Sequence, residues 1–75
     1  MNIFWSNGNN WQSIQSRALL NTKLVKYEER DVTGPFWTKS DFYKEHPNNA
    51  LPLVVFDGET IGGWQELFNY YAQGK

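Results

Sequence analysis

The fold is constrained most by the segment Leu51-Pro52-Leu53-Val54-Val55-Phe56-Asp57-Gly58-Glu59-Thr60-Ile61-Gly62-Gly63-Trp64. Pro52 has no N–H and a fixed φ, so it can only start a strand or lie at its edge. Leu53 to Phe56 is an unbroken apolar run, the pattern of a strand buried on both faces. Asp57-Gly58 separates two strand-like runs, which is the strongest short-range signal for a hairpin. Gly62-Gly63 lets the chain turn sharply into a helix where a side chain would clash. The remainder of the sequence has to supply neighbours for this hairpin.

Composition shows that it can. A chain of 75 residues holds one core, so residues 1–75 read as a single domain. There is no cysteine and hence no disulfide to staple so small a fold. Four tryptophans, four tyrosines and five phenylalanines offset this, each burying roughly 150–250 Å². The net charge is −1 and the basic residues are scattered, so no footprint for nucleic acid exists. No run approaches the roughly 20 apolar residues of a membrane span, and no basic-then-apolar signal opens the chain. These features predict a soluble, cytoplasmic protein, expected to be monomeric.

In chain order, Asn2 to Trp5 reads as a strand that runs into the turn cluster Ser6-Asn7-Gly8-Asn9-Asn10. A helix begins at about Asn10, a favoured N-cap residue. Trp11, Ile14 and Ala18 share one face, with Leu19 beside it, and polar residues fill the remainder. Asn21-Thr22 closes that helix, and Leu24 to Glu29 alternates weakly, as expected of a half-exposed outer strand. Asp31 to Pro35 is a connection. Thr38 then caps a short helix with Asp41 at its third position, and Trp37 and Phe42 take the staple positions around the cap. His46-Pro47-Asn48-Asn49 must end it. After the hairpin, Trp64, Leu67, Phe68 and Tyr71 mark one face of a closing helix that ends near Gly74.

The order is therefore β-α-β-α-β-β-α, an α/β fold. The first two strands form a right-handed parallel crossover unit, and the hairpin is antiparallel. A four-stranded mixed sheet flanked by helices satisfies both, with Ile3-Phe4-Trp5 and Leu53 to Phe56 in its centre.

At this point the sequence resembles a glutaredoxin, within the thioredoxin-fold superfamily. Ala50 to Gly58 is similar to the family's Thr-Val-Pro segment with its following strand and turn. Ile61-Gly62-Gly63 is similar to the Ile-Gly-Gly that opens its last helix, and Arg17-Ala18-Leu19-Leu20 to the end of its first helix. The resemblance implies a cis peptide bond between Leu51 and Pro52, with the Leu51 backbone open for a peptide or glutathione to pair as an added strand. It also implies a Cys-x-x-Cys or Cys-x-x-Ser motif at the start of the first helix, where the dipole lowers the thiol pKa. Here those positions are Asn10 and Ser13, counting back from Ala18-Leu19-Leu20, or Asn9 and Gln12, counting forward from the first strand. The first register is preferred, because a loop absorbs an extra residue more easily than a packed helix does. Neither register holds a thiol, so this chain cannot form the mixed disulfide that thiol–disulfide exchange requires. The family's acidic residue two places after the second glycine, which holds the glutathione ammonium, is Gln65 here.

What the resemblance leaves is a groove formed by Trp11, Leu51, Pro52, Gly63, Trp64 and Gln65, with glutathione or an extended peptide as ligand and no required cofactor. The backbone N–H groups of Trp64 and Gln65 sit at a helix start, which favours a carboxylate. The alternative is a scaffold without a ligand: a cysteine-free variant, or a designed or reconstructed form, of a glutathione-dependent disulfide oxidoreductase. Other candidates are weaker. His46 reads as a solvated helix-end cation, Asp41 and Glu45 as an exposed charged face, and no spacing of ligating residues suggests a metal. Ser13 lacks a nearby base that would make it a nucleophile.

Overall fold

The computed structural model describes residues 1–73. Its elements are β1 (Asn2–Ser6), α1 (Trp11–Thr22), β2 (Glu28–Asp31), α2 (Lys39–Glu45), β3 (Leu53–Phe56), β4 (Glu59–Gly62) and α3 (Trp64–Ala72). The strands form one mixed sheet in the order β2-β1-β3-β4. β1 runs parallel to β2 and antiparallel to β3, and β3 runs antiparallel to β4. The two apolar strands are thus central, as their composition requires, and the fold is the expected β-α-β-α-β-β-α. The expected end of the last helix at Gly74 lies outside the described residues.

Alternation along β1 divides the core in two. Trp5 packs with Leu53, Val55, Val32 and Phe42 on the face covered by α2, with Trp37 against them. Phe4 packs with Val54, Leu20 and Leu67 on the face covered by α1 and α3. Phe4 and Trp5 are both fully buried, so successive residues of one strand anchor opposite layers. The cap of α2 forms as read from the sequence. Asp41 N–H donates to Thr38 Oγ1 at 3.1 Å, and Thr38 N–H donates back to Asp41 Oδ2 at 2.9 Å.

The hairpin turn has positive φ at Asp57 and Gly58, the conformation that matches strand twist. Val55 pairs with Thr60 but Val54 pairs with Gly62, so Ile61 is an extra residue on β4. This bulge directs Ile61 against the core shared by α1 and α3.

Two expectations are corrected. The second strand is Glu28–Asp31 rather than Leu24 to Glu29: Leu24 is 87% exposed with φ +57°, and pairing with β1 begins only at Glu28. Nor does α1 bury Trp11, Ile14 and Ala18. Its buried residues are Ser13, Ser16 and Leu20, while Trp11 is 60% and Ile14 42% exposed. The buried face thus carries two small serines beside Leu20, with Ser13 Oγ bonded to Asn7 N–H in the preceding loop. No helix among the described residues is long and apolar enough to cross a membrane.

Candidate ligand-binding cleft

Where β3 begins, the chain passes from Asn48 through Ala50 and Leu51 to a cis Leu51–Pro52 peptide bond. Opposite it, Gly62 leaves β4 with φ +126° and Gly63 becomes the N-cap of α3. A Cβ at Gly62 would fall 2.7 Å from the Cβ and Cγ of Glu66, and one at Gly63 would fall 3.3 Å from the Pro52 carbonyl oxygen. Only glycines allow α3 to start this close to Pro52. Between the two segments lies a cleft of about 540 Å³, within the usual range for ligand sites. Its walls are Asn48 to Leu53 on one side and Thr60 to Glu66 on the other, with Gln12 at the start of α1.

The donors along the second wall differ in availability. Gly63 N–H donates to Glu66 Oε1 at 2.9 Å, closing the first turn of α3. The N–H groups of Trp64 and Gln65 have no acceptor among the described residues. They are the unsatisfied first-turn donors of a nine-residue helix.

The start of α1 is built differently. The Asn10 side-chain oxygen accepts from the N–H groups of Gln12 and Ser13, at 3.0 and 3.3 Å, as an N-cap. Ser13 is fully buried and its Oγ accepts from Asn7 N–H at 2.9 Å. Gly8 N–H donates to Asp31 Oδ1 at 3.1 Å, and the same oxygen accepts from the Thr33 N–H and hydroxyl. Burial pushes the Asp31 carboxyl up, but hydrogen bonds from Thr33 and Gly8 outweigh it and hold the pKa below its ordinary value. Deeper in, Arg17 grips both Glu29 oxygens, at 2.9 and 2.6 Å, and Ser6 Oγ donates to one of them at 2.7 Å. The Arg17 hydrogen bonds lower the Glu29 pKa against the effect of burial, and Glu29 in turn raises that of Arg17. The loop from β1 to α1 is thereby tied to the end of β2.

Comparison with known proteins agrees with this architecture. The family model described as the glutathione S-transferase N-terminal domain matches residues 2–62. Glutaredoxin 1 of Rickettsia typhi is 31% identical over 64 residues, covering 83% of this chain and 62% of that protein. The chain is a glutaredoxin-like member of that family. Glutaredoxin 3 of Escherichia coli K12 is 27% identical over 60 residues, covering 80% of the glutaredoxin-like chain and 72% of its own length. The crystal structure of a buckwheat glutaredoxin–glutathione complex superposes with a TM-score of 0.82 at 14% identity, over 99% of this chain and 70% of that one. At that identity the likeness establishes the fold alone.

Of the residues singled out in the glutaredoxin-like sequence, Leu51, Pro52, Gly63, Trp64 and Gln65 line the cleft together. Trp11 stands outside the lining, and Gln12 lines it instead. Asn9 and Asn10 are exposed, and Ser13 is turned inward. Sequence reasoning missed the wall formed by Asn48 and Asn49. The run Asn48-Asn49-Ala50 immediately before Leu51-Pro52 was the available signal. His46 stands at the end of α2 as its C-cap, as read, but it is half-buried rather than fully solvated, packed 5.6 Å from Phe42 and 6.3 Å from Trp5, centroid to centroid. Glu45 is exposed, as read, and pairs with Arg30 at 3.4 Å. No group of metal-ligating side chains occurs among the described residues.

Proposed function

We propose that this chain is a ligand-binding member of the glutaredoxin group that carries out no thiol–disulfide exchange of its own. Its groove holds an extended peptide-like ligand, glutathione or a short peptide, by strand pairing at Leu51 and hydrogen bonds from Trp64 and Gln65. One observation carries the reading: Leu51–Pro52 and Gly63–Gln65 form facing walls of a single cleft, with two backbone donors on the second wall left without protein acceptors. The glutathione complex of the buckwheat relative supports this ligand class. The lack of any cysteine removes the nucleophile for a mixed disulfide, so binding without exchange is what remains. In the preferred register Asn10 and Ser13 replace the family's thiol positions, and the N-cap role of Asn10 supports that choice, since the family's reactive residue stands at the helix start.

Titration of the labelled protein with glutathione, followed by amide NMR, tests the reading. Shifts confined to Gln12, Leu51 and Gly63–Gln65 are expected. Their absence at millimolar ligand would favour the other reading, a scaffold without a ligand. The internal hydrogen bonds that hold Asn7 to Ser13 also suit that scaffold.

A further inference from the structure

The cleft carries almost no charge. Of its lining residues only Glu66 is ionisable, and no lysine or arginine lines it among the described residues. Four side-chain amides, Gln12, Asn48, Asn49 and Gln65, line it. Each offers both a donor and an acceptor, the pattern that suits peptide groups rather than ions. Glutathione brings two carboxylates and one ammonium. Neither carboxylate meets a cation here, and the α3 N-terminus already has a negative charge beside it in Glu66, which accepts from Gly63 N–H at 2.9 Å.

Resting on the groove reading above, we infer that the cleft selects by charge, taking uncharged or basic extended peptides in preference to glutathione. Glu66 and the uncharged Asn48-Asn49 wall set that selection. An added carboxylate on the ligand meets the Glu66 charge with only the Trp64 and Gln65 N–H groups, and no cation, to offset it, whereas an amide in its place finds partners among the four side-chain amides. In water-like dielectric this repulsion is worth roughly threefold in affinity for the one carboxylate that comes within about 6 Å of Glu66.

The test compares glutathione with the same tripeptide in which both carboxylates are amidated, each titrated by NMR into the full chain and two variants. Wild type is expected to bind the diamide at least about threefold more tightly. Glu66→Gln keeps the side-chain acceptor at the third helical position, so the α3 cap and the fold survive. It is expected to narrow the ratio, and Asn49→Lys, which introduces a cation at the opposite wall, to reverse it. A wild-type ratio of one or below, or a ratio unmoved in both variants while both ligands still bind, overturns the charge selection and leaves the groove intact. Failure of wild type to bind either ligand overturns the groove reading and the selection together.

Discussion

Between Asn7 and Ser13 the protein supplies its own acceptors for the backbone donors, whereas across the fold, at Trp64 and Gln65, it does not. Asn7, Gly8, Gln12 and Ser13 all donate to side chains of the same molecule. The second region stays open because two glycines bring α3 against Pro52 without filling the space between. The two regions lie in one fold and both begin a helix. What separates them is whether side chains are present that satisfy the helix start from within. A cleft with unpaired donors remains where they are lacking; where they are present, the loop is held by its own hydrogen bonds.

The largest expected effect probes this difference with introduced thiols. Asn10→Cys places a sulfur at an exposed helix N-terminus, where a thiol ionises readily, while Ser13→Cys places one in a fully buried position. Alkylation of the first is expected to be faster by about a hundredfold or more. Comparable rates in two folded variants would show that the Asn7–Ser13 segment opens freely and that its internal bonds do not hold it.

Next come the glycines. Gly62→Ala would place a methyl group 2.7 Å from two Glu66 carbons at a φ of +126°, so a loss of about 3 kcal/mol is expected. Gly58→Ala also forces a positive φ, +86°, but nothing lies within 4 Å, and about 1 kcal/mol is expected. Urea midpoints at constant m-value measure both. Equal costs would mean that Gly62 meets the first turn of α3 at Glu66 more loosely than the structure shows.

A smaller pair tests the face of α1. Ser13→Ala leaves the Asn7 N–H without its acceptor in a part-buried position, at a cost of about 1–3 kcal/mol. Trp11→Ala removes a much larger side chain but one that is 60% exposed, and stays within about 0.5 kcal/mol. If the tryptophan substitution costs more than the serine one, the packing assigned to α1 is wrong.

That reversal also marks how far the sequence could be read. The hairpin, the Thr38–Asp41 cap and the central position of β1 and β3 were legible because local rules and tertiary packing agree there. The cleft walls at Leu51–Pro52 and Gly63–Gln65 were legible only through the resemblance to glutaredoxins; the proline and glycines by themselves marked a strand start and a sharp turn. The buried face of α1 was not legible. Trp11, Ile14 and Ala18 are apolar, yet apolar residues are not obliged to be inside, and the buried face instead carries the small Ser13 and Ser16 beside Leu20. Asn48 and Asn49 escaped notice for a related reason: side-chain amides carry no periodic or charge signature, and their one signal is adjacency in sequence to Leu51-Pro52.

The smallest expected effect is a pH dependence that belongs to the closed region alone. Glu29 and Asp31 both have folded-state pKa values below their ordinary ones, Glu29 chiefly through Arg17 and Asp31 through Thr33 and Gly8 despite its burial. A depressed carboxylate pKa contributes stability that is fully present above the unfolded-state value, about 4.3 for Glu and 3.9 for Asp, and is lost as pH falls through the folded value. The urea midpoint should therefore be insensitive to these groups above about pH 5.5 and decline below about pH 4.5. Both groups are partly exposed, so each contributes well under about 1 kcal/mol. Asp31→Asn should flatten the decline and, because Asp31 holds Gly8, should speed amide exchange at Gly8 while leaving Trp64 and Gln65 unchanged. An acid profile identical to wild type in Asp31→Asn and in Glu29→Gln would remove these carboxylates as the cause. Faster exchange at Trp64 as well would show that the two helix starts are not independent, and the contrast between them would fail.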